Sequence, residues 1–232
     1  MSSIRDNRQA VLERIQQLTH LHAAALANVH PERRELLVPV PTVAAFAFRH
    51  PRFARRLLRR AMRVFGLPPL ASLPAELTTL LACTSDELEN LVIHVGLLMI
   101  LAQLPRVMQR GDIDTLKGIF GESAVEFAMS NRHLAPPSSL RTIRMPEAQA
   151  IRQQAMQSGW LALLHWARQE QGQAARWLEI RLSSEICNRP VPSSFNGVCR
   201  EPVEKAIAYV FAPRRDDDGR TSSDNLQTKA QL

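Results

Sequence analysis

Leu91–Leu104 reads LVIHVGLLMILAQL, fourteen residues in which only His94 and Gln103 are polar. A run this long exceeds the usual strand, so it reads as helix. It is short of the roughly 20 apolar residues that a membrane span needs. A helix apolar on every side must be wrapped by other parts of its own chain. Thr84-Ser85-Asp86-Glu87 stands before it. Ser85 or Asp86 is the expected cap, and the acids suit the positive end of the helix dipole. Pro105 predicts a kink or an end near Leu104. Nothing in the stretch is chemically reactive, and His94 reads as a hydrogen-bonded core histidine.

Working outward, the 232 residues suit one domain or slightly more, and 45% hydrophobic content permits a sizeable core. No alternating strand pattern with a hairpin signal is present; Asn196-Gly197 lies in a Pro-rich loop. The fold expected is all-α: a single compact multi-helix domain around a buried central helix, with an N-terminal amphipathic helix and a disordered C-terminal tail. Its parts are the N-terminal helix (1–30), a helical domain (31–212, basic helix at about 42–65 and core helices at about 86–183) and the tail (213–232), which has almost nothing to bury. Cys83, Cys187 and Cys199 are too few and odd in number for a disulfide framework, and the N-terminus lacks the apolar core of a signal peptide. A cytoplasmic protein is expected.

Ile4, Val11, Ile15, Leu18, Ala25 and Val29 recur at helical spacings and form a seam that needs a partner, in its own domain or in another chain. Pro31 is read as ending that helix and Val38-Pro39-Val40-Pro41 as an extended link. Thr42 is then expected to cap a second helical stretch to about Phe65, interruptible at His50-Pro51. Its apolar side is Phe46, Phe53, Leu57, Leu58, Ala61, Met62 and Phe65.

The other side carries Arg49, Arg52, Arg55, Arg56, Arg59, Arg60 and Arg63, seven arginines with no acid between Arg49 and Arg63. The formal net charge of the whole chain is also +7, so the excess is local. All but Arg55 fall on one helical stripe. Arginine forks grip carboxylates and phosphates, so an acidic protein face, an anionic membrane surface and nucleic acid are all candidates. A merely solvated face would ordinarily carry Glu at i±4, which this one lacks. Few aromatic residues interleave the stripe, so stacking on bases is not supported.

Pro74 marks the start of a short helix before the central one. Asp112 is expected to open a helix with Ile113, Leu116, Ile119 and Phe120, Gly121 to end it, and Glu122 to begin the next, burying Val125, Phe127 and Ala128. Pro146 is read as N1 of a long helix with Ile151, Ala155, Gly159, Ala162 and Trp166 on one face; Gly159 suits a close crossing. Ala174–Ser183 is read as helix, Ser184–Arg200 as loop, and Glu201–Ala212 as a final helix.

No His-Glu-x-x-His, phosphate-loop, GxGxxG or GxSxG pattern occurs, and the cysteines lack zinc spacing. The expectation is therefore no catalytic residue, no cofactor, no metal and no enzymatic activity. As partner-binding residues the sequence offers Arg52, Arg56, Arg59 and Arg63.

Two stretches carry a family resemblance. Leu88–Leu134 is LENLVIHVGLLMILAQLPRVMQRGDIDTLKGIFGESAVEFAMSNRHL, and Met156–Leu182 is MQSGWLALLHWARQEQGQAARWLEIRL. Both resemble the K component of bacterial type III secretion systems (the SctK/YscK family). The first has an apolar helix with Val95-Gly96-Leu97, a basic turn with Arg106 and Arg110, a helix over Leu116–Phe120, then Gly121-Glu122 leading to Phe127-Ala128. The second has Ser158-Gly159, Trp177 and the ending Leu178-Glu179-Ile180-Arg181-Leu182. Together they span about a third of the chain, in the family's order and at similar spacing.

The resemblance implies an all-helical, non-catalytic adaptor of the sorting platform, at the cytosolic face of the inner membrane. It would bridge the pod protein and the cytoplasmic domain of the inner-ring protein, and meet the membrane only indirectly. The matched residues are packing residues and locate neither interface; the arginine helix lies outside them. The rival readings are a basic nucleic-acid-binding regulator, ranked lower for want of a helix-turn-helix, and a peripheral membrane-associated scaffold.

Overall fold

The computed structural model describes residues 16, 18–101, 104, 109–136 and 147–212. These form twelve α-helices with no strand among the described residues. In chain order they are α1 (18–27 as described), α2 (Pro31–Leu37), α3 (Pro41–Arg49), α4 (Pro51–Phe65), α5 (Ala75–Ala82), α6 (Ser85–Ile100), α7 (Arg110–Phe120), α8 (Glu122–Ser130), α9 (Ala148–Glu170), α10 (Arg176–Glu179), α11 (Ser184–Asn188) and α12 (Arg200–Val210).

α6 is the central helix, and every residue from Leu91 to Ile100 is buried. Its cap lies one residue earlier than expected. Thr84 Oγ1 accepts from the Glu87 N–H at 3.2 Å, and the Glu87 carboxylate accepts from the Thr84 N–H at 2.7 Å. This reciprocal box leaves Ser85 inside the first turn. The helix ends at Ile100, short of Leu104, and Pro105 lies outside the described residues.

α9 runs against α6, with α8 and α12 on its flanks. The α6–α9 crossing is a backbone-on-backbone contact. A Cβ on Gly96 would overlap the Ala155 carbonyl, and one on Gly159 would overlap the Val92 carbonyl. The two glycines interlock, each against the residue four positions before the other. The face expected for α9, from Ile151 through Ala155, Gly159 and Ala162 to Trp166, is buried throughout. α9 begins at Ala148 with Glu147 as its N-cap; Pro146 lies outside the described residues.

A second cluster of buried side chains gathers α1, α2, α3 and α4, with Leu26, Leu37, Leu58 and Ala61 in it. α5 and α10 are the shared walls. Leu77 and Leu80 of α5 face the α6 cluster while Leu81 faces the other. Leu178 and Trp177 of α10 divide the same way. Each buried Leu or Ile contributes about 1.5–3 kcal/mol, so α6 with its all-round burial dominates stability.

Local differences from the sequence expectations have simple causes. Pro31 starts a helix, α2, instead of only ending one, because proline is preorganised for N1. Pro41 does the same for α3, so Thr42 sits inside it and is not the cap. The stretch to Phe65 is two helices split at His50. Asp112 is the third helical residue of α7 and accepts from the Gln109 N–H at 2.9 Å. Ala174–Ser183 contains only a 3-10 turn and the four-residue α10, and Ser184–Asn188 is a helix, α11, capped by Ser183. Ile4, Val11 and Ile15 of the N-terminal seam and the tail from Pro213 lie outside the described residues.

Candidate functional site

α4 has Leu57, Leu58 and Ala61 buried on one side, which fixes its opposite side outward. At 100° per residue, Arg52, Arg56, Arg59 and Arg63 fall along the middle of that outer side, and all four are exposed. Arg55 and Arg60 flank the stripe, one on each side, and are exposed too. Arg49 belongs to α3 and is parted from the stripe by the His50 break. Among the described residues no carboxylate forms an ion pair with any of the seven.

Both ends of α4 are held. At the start, His50 Nδ1 accepts from the Arg52 N–H at 3.3 Å, and His50 contacts the rings of Phe46 and Phe53 at 5.3 and 5.7 Å. At the finish, Gly66 takes φ 60°, and the Leu67 N–H returns to the Met62 carbonyl at 2.9 Å. The α10 segment fastens this end: Arg176 donates to the Gly66 carbonyl at 3.1 Å and Trp177 Nε1 to the Pro68 carbonyl at 2.9 Å. The core thus positions a helix that bears only like charge.

That charge costs the helix stability. Arg52/Arg56, Arg55/Arg59, Arg56/Arg60 and Arg59/Arg63 are i,i+4 like-charge pairs, each destabilising by roughly 0.2–0.5 kcal/mol. Arg52 also stands in the first turn, at the positive end of the dipole, with no acid beside it.

Beyond the Phe53 flank, Val40, Val43 and Phe46 are exposed. Phe46 therefore departs from the inward role expected of it. The break at His50 rotates α3 relative to α4 and turns Phe46 outward, where it meets the His50 ring and packs edge-on with Phe53 at 5.9 Å.

The remaining polar groups of interest are structural. His94 is 1% exposed. Its Nδ1–H donates to the Asn90 carbonyl at 2.8 Å, and Nε2 faces Ser123 Oγ at 3.1 Å. Burial holds its pKa below the usual histidine value. Arg181 is buried and donates to the Leu80 and Cys83 carbonyls, so it caps the end of α5 with a charge. The three thiols are free and buried; burial raises them, Cys199 to about 12, so they stay protonated and unreactive. Among the described residues no three of His, Cys, Asp and Glu form a group able to hold a metal ion, and no helix is long and apolar enough to cross a membrane. The serine that partners His94 was not legible in sequence, because 29 residues separate the two. Compared with protein-family models, with curated proteins and with solved structures, the chain matches none of them.

Proposed function

We propose that this chain is a non-enzymatic adaptor of a bacterial type III secretion apparatus. In that reading it joins the pod protein of the sorting platform to the cytoplasmic domain of the inner ring, at the cytosolic face of the inner membrane. Arg52, Arg56, Arg59 and Arg63 grip an acidic face of one of these partners. The observation that carries the reading is the outward, acid-free arginine stripe on a helix whose ends are fastened to the core. Like-charge crowding disfavours such a helix in isolation, and an anionic partner offsets it. The choice of apparatus rests on the motifs of Leu88–Leu134 and Met156–Leu182.

The test is co-purification of the double variant Arg52→Glu/Arg56→Glu with the pod and ring proteins. Capture is expected to be lost. The melting temperature should hold or rise, because each new carboxylate gains an arginine three or four residues onward: Arg55, then Arg59 and Arg60. Undiminished capture by a folded double variant removes the stripe from the interface. Retention of duplex DNA with a steep salt slope, or flotation with anionic vesicles, both lost in the variant, would transfer the stripe to those partners instead.

A further inference from the structure

Between α1 and α4 runs a groove of about 770 Å³ that no described side chain fills. Its floor is apolar: Ala23 and Leu26 from α1, Ala54, Leu58 and Met62 from α4, and Leu70 beyond the Gly66 turn. Its rim carries the cations Arg49, Arg55 and Arg59 on one side and His22, whose pKa burial lowers, on the other, and no acid lines it among the described residues. The groove lies beside the arginine stripe and shares Arg59 with it. Its walls run from Leu18 to Ala27 on α1 and from Ala54 to Met62 on α4, a length of roughly 12–14 Å at 1.5 Å per residue. That is two to three helical turns.

We infer that this groove seats an acidic amphipathic helix of a partner protein, its apolar face on Leu26, Leu58 and Met62 and its carboxylates against Arg49, Arg55 and Arg59. The inference rests on the reading of α4 as a partner-binding element and names the chemistry of what it binds. Three observations favour a helix. Two walls of helix with an apolar floor between them are the mould into which a third helix lays anchors at i, i+3 or i+4, and i+7. Alanine at 23, 27 and 54 leaves room for a helix to approach closely. The rim demands negative charge, so the incoming polar faces are acidic. A bilayer fits less well: Leu26, Leu58 and Leu70 are buried below exposed arginines, and a flat surface would meet the arginines without reaching the floor. A nucleic-acid strand would leave the same floor uncovered.

The experiment uses the full chain and two synthetic 18-residue probes with leucine at the same helical spacing, one with glutamate at the other positions and one with lysine. Binding is followed by fluorescence anisotropy and by the gain of helical circular dichroism. The glutamate peptide is expected to bind and become helical, and the lysine peptide to bind at least tenfold more weakly. Ala23→Trp fills the groove from an exposed position on α1. It should weaken the glutamate peptide tenfold or more with an unchanged melting temperature; Ala23→Gln, which obstructs less, should weaken it less.

Failure of the glutamate peptide to bind overturns the inference. So does binding that Arg52→Glu/Arg56→Glu abolishes while Ala23→Trp leaves it intact; the acidic-partner reading then survives on the stripe alone. The reverse pattern keeps the groove and removes the stripe. Binding that appears only after deletion of residues 1–15 assigns the groove to the chain's own N-terminal segment. Dimerisation lost in Ala23→Trp assigns it to a second copy, and phosphatidylglycerol-vesicle flotation lost in Ala23→Trp assigns it to lipid. Each of these three also overturns the inference.

Discussion

His94 shows what one buried polar side chain sets for the molecule. Its neutral form is anchored by the Asn90 carbonyl and Ser123, and Phe127 and Tyr209 press on the ring at 5.7 and 5.6 Å. Burial lowers its pKa in the folded chain. As pH falls through the unfolded value of roughly 6.5, the unfolded chain takes up a proton that the folded one resists. Stability is therefore complete above that value and declines as pH descends toward the lowered folded one. Urea melts at pH 7 and pH 5 should show the loss, and His94→Gln should flatten it; equal slopes in both proteins would contradict the assignment. Residual slope is expected from His22, whose pKa burial also lowers. That His94 would be a core histidine follows from its apolar neighbours in sequence. Arg181 was less legible. It sits in an apolar face at i+4 from Trp177, and only the fold shows that it faces the last carbonyls of α5.

At the scale of elements, the α6–α9 crossing depends on two hydrogen atoms standing where methyl groups would collide with backbone. Ala155 and Val92 carbonyls cannot rotate aside as a side chain does. Gly96→Ala or Gly159→Ala must push the two helices apart, and a loss of about 3 kcal/mol or more is expected from overpacking, despite alanine's better helix propensity. Gly118→Ala on the exposed face of α7, where a Cβ would meet nothing within 4 Å, should instead gain up to about 1 kcal/mol. Chemical denaturation of the three variants checks both signs; a neutral Gly159→Ala would mean that the crossing is looser than its geometry. Sequence suggested the role of Gly159 from its place on the buried face of a helix. Its counterpart, Gly96, looked like one more residue of an apolar run, because an all-round buried helix gives no angular clue to where its tightest neighbour lies. The α3–α4 break was legible from His50-Pro51, whereas the outward turn of Phe46 followed only from the angle between the two helices.

For the whole molecule, the two hydrophobic clusters predict unequal resistance to opening. α6, buried on most sides, and the buried face of α9 lie in the larger cluster. α1 to α4 form the smaller one, fastened through α5, α10 and a few cross-connections such as the His30 N–H to the Ile180 carbonyl at 2.9 Å and Asn28 Nδ2 to the Cys83 carbonyl at 3.3 Å. Native-state hydrogen exchange should show amides around Leu26, Leu58 and Ala61 opening at lower free energy than those of Leu97, Leu98 and Leu163. One common opening energy would show a single cooperative unit. Such a division would serve the proposed adaptor: the α6–α9 cluster would hold in place the smaller cluster that carries the arginine stripe and the groove. The amino-acid sequence by itself determined the helical class, the identity of the buried central helix, the buried face of α9 and the local charge of α4, because each is written in one-dimensional periodicity and composition. Only tertiary structure decided which backbone meets at Gly96 and Gly159, that Phe46 faces outward, and that α1 and α4 leave a groove between them. Those depend on angles between elements, which are set by the packing of residues far apart in the chain.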